Sequence, residues 1–209
     1  MTDENGGALP RIVHLDKMTM GGVAIPRPDM PHEWVSHEFS DADQVVERLA
    51  GATVAIINKV RMDAATLAAL PDLKLIAVTA TGTDVVDKVA AQAQGIEVRN
   101  VVGYAGTTVA EHVVMMIFAL SKGLIPFRDS VIDGSWETGK SFTIFAAPVR
   151  DLVGQRLGLF GSGAIAQAAP SRARALGMGV VSAGRQGQPA GEGKLSLEEV
   201  LATSDIISL

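Results

Sequence analysis

The stretch Arg156-Leu157-Gly158-Leu159-Phe160-Gly161-Ser162-Gly163-Ala164-Ile165-Ala166 decides how this chain is read. An apolar run ends at Phe160, three small residues follow at the G-x-G-x-x-G/A spacing, and a helix-forming segment then reaches Leu176. The first Gly of such a pattern makes a tight turn, the second lets backbone approach a pyrophosphate, and the third small residue lets helix and strand pack closely. N–H groups and the positive dipole end of the helix add to the attraction. The spacing predicts a phosphate-binding turn around Gly161 and Gly163. A Gly-rich strand-to-helix turn that binds nothing is the plainer alternative.

Working outward toward the C-terminus, a second strand is predicted at Gly179 to Ala183, a short helix near Ser196 to Ala202 and a strand from Asp205 to Leu209. An NAD-binding protein would place an Asp or Glu after the second strand to accept from the ribose hydroxyls, but Gly184 and Arg185 stand there. A guanidinium beside a glycine leaves room and charge for a 2′-phosphate, so NADP(H) is expected over NAD(H). An ordinary solvated loop charge is the other reading of Arg185. Pro170 falls inside the predicted helix, where a lost hydrogen bond and a ring clash cost about 3 kcal/mol, so a kink or shift is expected there. Because the sequence stops within a strand, the first strand is expected to keep one unpaired edge and the chain to be a fragment of a longer protein.

Toward the N-terminus, β-branched runs alternate with helical patterns, the signature of α/β units that place helices on a parallel sheet. Strands are read at Arg11 to Asp16, Glu33 to Phe39, Ala52 to Asn58, Leu73 to Ala80 and Ile96 to Val101. Helices lie at Asp41 to Leu49, Asp63 to Leu70 and Asp84 to Gln94, each opened by an Asp suited to its N-terminus. That is one small doubly wound domain. A longer helix, Val109 to Lys122, is apolar on nearly every face and is expected to be buried, with Thr108 and Glu111 spaced as a capping box. Phe127 to Arg150 has no sustained period and reads as a connecting loop.

Two places on this first domain suit a small acid. Leu75 to Ala80 runs into Thr81-Gly82-Thr83-Asp84 at a predicted helix N-terminus, where backbone N–H groups can hold a carboxylate; a plain connection fits the spacing equally. Asn58 and Lys59 end another strand on the same sheet edge, where doubly wound sheets bind ligands. The histidines, His14, His32, His37 and His112, show no carboxylate partner or metal-ligand spacing. Adjacent helical residues point apart, which argues against Glu111-His112 as an acid/base pair.

Composition narrows the classes. A formal charge of −5 with no local basic patch disfavours nucleic acid and anionic lipid as partners. The absence of cysteine excludes disulfides, thiolate metal sites and a cysteine nucleophile. Val109 to Leu120 is too short and too interrupted to span a bilayer, and the polar N-terminus lacks a signal-peptide pattern, so a cytoplasmic protein is expected. No G-x-S-x-G, Walker A or H-E-x-x-H pattern occurs.

Taken together, Ile57-Asn58-Lys59-Val60, Leu70-Pro71-Asp72-Leu73-Lys74-Leu75-Ile76, Ala80-Thr81-Gly82-Thr83-Asp84-Val85-Val86-Asp87, Ala110-Glu111-His112, Gly134-Ser135-Trp136 and Leu157-Gly158-Leu159-Phe160-Gly161-Ser162-Gly163 resemble the D-isomer-specific 2-hydroxyacid dehydrogenases, and among them the glycerate dehydrogenase or hydroxypyruvate reductase branch. The resemblance implies a flavodoxin-like substrate domain, here residues 1–104, and an incomplete Rossmann-type NAD(P)-binding domain, residues 105–209, with a cleft between them and a homodimer when complete. By position, Thr81 and Gly82 would bind the carboxylate of a small 2-keto or 2-hydroxy acid with Lys59 nearby. Gly161, Gly163, Ala164 and Ile165 would hold the pyrophosphate, and Thr108 would lie near the nicotinamide. The family's catalytic arginine, acid and histidine fall after Leu209, so the 209 residues alone are expected to be inactive. The expected whole is an oxidoreductase acting on hydroxypyruvate or glyoxylate; a non-catalytic nucleotide-binding or regulatory fragment is the alternative.

Overall fold

Five short strands form the first sheet: β1 (Arg11–His14), β2 (Glu33–Ser36), β3 (Val54–Ile57), β4 (Leu75–Val78) and β5 (Glu97–Asn100), the central ones more deeply buried than the edge strands β2 and β5. All pairings are parallel, in the order β2-β1-β3-β4-β5, which is the flavodoxin-like doubly wound order. The computed structural model describes residues 8–161 and 163–209, and of residues 164–166 the backbone alone. Contacts divide the chain into two units, the first closing at Val102 and the second running Gly103–Leu209.

Alternation along the strands sends Val13, Leu15, Ala55, Ile57, Ile76 and Val78 to one core, completed by Leu49, Leu67 and Leu73. The crossovers carry α1 (Val45–Arg48), α2 (Ala64–Ala68) and α3 (Lys88–Ala93). Asp41 makes a capping box with Gln44 at a single 3₁₀ turn before α1, and Asp63 accepts the Thr66 N–H at 2.9 Å. The third helix departs from expectation. Asp87, not Asp84, caps it, accepting the Ala90 N–H at 3.0 Å. Before it the chain makes a turn, in which Val86 donates to the Thr83 carbonyl at 3.0 Å, and is then tied by a single bridge in which Met62 donates to the Val85 carbonyl at 2.7 Å and Asp87 to that of Met62 at 2.9 Å. The connection from β1 to β2 has no α-helix: one 3₁₀ turn, Lys17–Met20, leads into an irregular run.

The second unit holds α4 (Ala105–Ser121), α5 (Leu124–Ile132), β6 (Arg156–Leu159), α6 (Ala164–Ala175), β7 (Gly179–Ser182), α7 (Leu197–Thr203) and β8 (Ile206–Ser208). Its sheet is parallel in the order β7-β6-β8. The last strand therefore pairs with the first, so β6 is central and does not carry the unpaired edge expected of it. Beyond β7, the place of a further strand is taken by a single parallel bridge between Ala183 and Leu195. Leu152, Leu157, Leu159, Ala173 and Met178 form the core with Ile117.

Several expectations for this unit are corrected. Helix α4 starts at Ala105, so Thr108 lies within it and caps nothing, while Glu111 approaches Arg172 at 3.8 Å. Nor is α4 buried all round: α6 packs along it and Ala110 and Ile117 are enclosed, but Leu120 stays 73% exposed. The stretch read as a loop from Phe127 contains most of α5, in which Pro126 occupies the first turn, where a missing N–H costs nothing. Helix α6 runs on through Pro170 to Ala175, so the proline lies inside it as read from the sequence.

Candidate functional site

In the second unit, the turn after β6 has the geometry its glycines suggest. Gly161 sits at φ +114°, a backbone conformation that side chains disfavour, and open space lies where a Cβ would be. Gly163 is the extended N-cap of α6. The Phe160 N–H donates to the Ser208 carbonyl at 3.0 Å, so β8 holds the start of the turn. Ser162 and the side chains of Ala164 and Ile165 lie outside the described residues.

Beside this turn is a cavity of about 420 Å³ with Phe160 and Gly161 on one side and Gly184, Arg185, Gln186 and Lys194 on the other. Arg185 is exposed, and among the described residues no carboxylate lines the space. The bridge at Ala183 brings Lys194 here: Leu195 donates to the Ser182 carbonyl at 3.0 Å, and Gly184 donates to that of Leu195 at 2.8 Å. Lys194 was missing from the sequence reading because its placement depends on a two-residue bridge with no periodicity of its own. The role expected of Gly184 also changes. A Cβ there would lie 2.6 Å from Cα of Ala190, so the glycine admits the protein's own backbone and does not clear room for a ligand.

In the first unit, the candidate residues lie at the C-terminal ends of β3 and β4. Asp16, just past β1 and 1% exposed, is the residue the sequence reading missed. Its carboxylate accepts the Asn58 N–H at 3.0 Å to each oxygen and the Lys59 N–H at 2.7 Å. It thereby fixes the loop after β3 at the point where the strand order reverses, the usual ligand position in such sheets. Lys59 itself is exposed. Position i+2 after His14 was the available signal, and the two side chains do approach, with His14 Nε2 3.8 Å from Asp16 Oδ1. Burial holds the His14 imidazole below its ordinary pKa, and the Asp16 charge opposes this.

Past β4, the Thr81 carbonyl accepts from Asn100 Nδ2 at 2.6 Å, so β5 braces the turn. The N–H groups of Thr81 and Gly82 have no partner within the protein among the described residues. Contrary to the expectation from sequence, they do not stand at a helix N-terminus, since α3 begins only at Lys88. Attraction for an anion there rests on the two amides. Thr108 is exposed on α4 of the second unit, and His112 is exposed on the same helix.

The sequence profile described as D-isomer specific 2-hydroxyacid dehydrogenase, catalytic domain, matches residues 24–204. The chain belongs to this family. This 2-hydroxyacid dehydrogenase chain is 46% identical over 200 residues to the glycerate dehydrogenase of Methylorubrum extorquens, covering 95% of itself and 62% of that protein. It is 29% identical over 175 residues to the hydroxypyruvate reductase of Blautia hydrogenotrophica, covering 82% of itself and 54% of that protein. Among solved structures it resembles the TT0316 protein from Thermus thermophilus, with a TM-score of 0.77 at 28% identity over 95% of this chain and 64% of the other. The chain thus spans somewhat over half the length of these relatives. Among the described residues there is no group of three potential metal ligands, and no single helix is long and apolar enough to cross a membrane.

Proposed function

We propose that these residues supply the substrate-carboxylate site and the phosphate-binding half of the coenzyme site in an NADPH-dependent reductase that converts hydroxypyruvate, or the smaller glyoxylate, to the 2-hydroxy acid. The observation that carries the coenzyme reading is the cavity beside Gly161, bordered by Arg185 and Lys194 and, among the described residues, by no carboxylate. Ribose hydroxyls favour an acidic partner there, whereas a 2′-phosphate favours two cations. The residues fit the group: Gly161, Gly163, Ala164 and Ile165 with the α6 N-terminus would face the pyrophosphate, Arg185 and Lys194 the 2′-phosphate, and Thr108 the nicotinamide end. When bound, the coenzyme supplies a hydride to the substrate's carbonyl carbon.

The amides of Thr81 and Gly82 hold the substrate carboxylate in this reading, and Lys59, its backbone fixed by Asp16, adds a positive charge. Hydroxypyruvate as substrate is supported by the name of the Blautia relative, a hydroxypyruvate reductase, and glycerate as the corresponding 2-hydroxy acid by that of the Methylorubrum relative, a glycerate dehydrogenase. The arginine that orients the substrate and the acid-paired histidine that protonates its oxygen belong, by the resemblance, to sequence beyond these residues. A homodimer of the complete protein suits the apolar surface left on α4 and α5, where Met115, Leu120, Leu124 and Ile125 are exposed. A cytoplasmic place, where the reduced coenzyme is held, goes with the same reading.

The test is a steady-state assay of the complete protein with hydroxypyruvate and glyoxylate, each with NADPH and NADH, alongside the 209 residues made alone. Reduction by the complete protein, faster with NADPH, is expected, with none from the shorter chain. A complete protein that binds coenzyme but reduces neither acid would favour a non-catalytic nucleotide-binding role instead.

A further inference from the structure

The connection from β1 to β2 covers its face of the sheet without a helix, and a second cavity of about 420 Å³ lies beneath it, bordered by His14, Lys17, Ile25, Arg27, Trp34 and Ser36. Register explains the grouping: His14 pairs with Ser36 and Ile12 with Trp34, so these side chains share the face opposite the core. Its polar lining is made of donors. The Ser36 oxygen accepts from Trp34 Nε1 at 2.8 Å, which leaves the hydroxyl proton to donate elsewhere. The Arg27 guanidinium carbon lies 5.3 Å from the centre of the Trp34 ring, and Arg27 pairs with no carboxylate among the described residues. Lys17 adds an ammonium, shared with Glu38 at 2.8 Å.

Two further features suit a ligand. Arg27 stands between Pro26 and Pro28, both of which restrict the backbone, so its side chain is presented from a stiffened stretch. The His14 side chain is 2% exposed, and its Nε2, though 3.8 Å from Asp16 Oδ1, has no hydrogen-bond partner. Buried polar atoms normally find one, and orphans cluster where something else binds. Among the described residues no carboxylate lines the cavity, and Val23 and Ile25 give it an apolar wall. Its volume falls within the ordinary range for small-molecule sites.

We propose that this cavity binds a small organic carboxylate, its charge facing Arg27, Lys17 and Ser36 and its apolar body against Val23 and Ile25. The proposal rests on neither the coenzyme nor the substrate reading above, although His14 approaches Asp16, which holds the Lys59 loop. The chain has two tryptophans, Trp34 and Trp136, so a Trp136→Phe variant reports on the cavity through Trp34 fluorescence alone. Titration of that variant with benzoate should give a saturable change, and Arg27→Ala, an exposed substitution that leaves the core untouched, should weaken it at least tenfold. Benzamide, the uncharged isostere, should give none. The proposal is overturned if benzoate gives no saturable change, if Arg27→Ala binds equally well, or if inorganic phosphate binds as tightly as benzoate, which would mark a bare-anion site without use for an apolar body.

Discussion

The two units bury their apolar residues in different ways. In the first, five strands and their crossovers enclose a continuous core from Val13 and Leu15 through Ile57 to Ile76 and Val78. In the second, three strands and α6 enclose a smaller cluster around Leu157, while α4 and α5 leave Met115, Phe118, Leu120, Leu124, Val131 and Ile132 exposed. Apolar sequence thus yields one self-sufficient core and one that presents apolar surface. The difference lies in layers: a sheet in an α/β fold becomes stable when both of its faces are covered.

The sharpest way to break this contrast is to open a cavity in each core. Leu157→Ala and Ile76→Ala each remove a fully buried side chain, at an expected cost of about 2–5 kcal/mol. In chemical denaturation the Leu157 variant should lose the second unit's transition at low denaturant, and the Ile76 variant should keep a folded first unit with a lowered midpoint. Equal losses of folded population would remove the contrast.

Asp16→Ala tests the site within the sturdier unit. Removing a buried carboxylate leaves the Asn58 and Lys59 amides without their acceptor, for an expected loss of about 2–4 kcal/mol. Amide hydrogen exchange should then speed up at residues 58 and 59 first. Exchange unchanged at those amides would mean that the loop after β3 holds itself.

In the second unit the expected sign is reversed for Pro170→Ala, which restores a donor inside α6 and should add about 1–3 kcal/mol. Thermal melting checks it, and an unchanged or lower midpoint would show that α6 packs around the ring.

The smallest effect belongs to pH. Burial keeps the folded His14 pKa below its ordinary value, and burial with the Arg48 and Arg11 charges does the same for His37. As pH falls the unfolded chain therefore takes up these protons first. Their contribution is complete above about pH 6.5 and is lost as pH drops toward the folded values. His14→Gln should flatten the stability profile of the first unit in that window; an identical slope would refute the assignment.

Much of this was legible in the sequence, for identifiable reasons. The β-branched runs of the first sheet and the Gly161-x-Gly163 turn carry their own period and spacing, and the parallel α/β architecture follows from them. What escaped the reading depends on tertiary pairing. The Asp87 cap follows from a strand-like bridge at Met62 and Val86, the central place of β6 from the partner chosen by β8, and the position of Lys194 from the bridge at Ala183. Apolar residues on α4 pointed to burial, but sequence does not say how many layers will be present to provide it.

Calorimetric titration of the 209-residue chain with NADPH and with NADH tests the central claim most directly, because it needs no catalysis. NADPH should bind more tightly by about 1–3 kcal/mol, the worth of charge-assisted hydrogen bonds to one phosphate, and Arg185→Ala with Lys194→Ala should abolish most of that difference while leaving NADH binding in place. Equal affinities for the two coenzymes, or tighter binding of NADH, would contradict it.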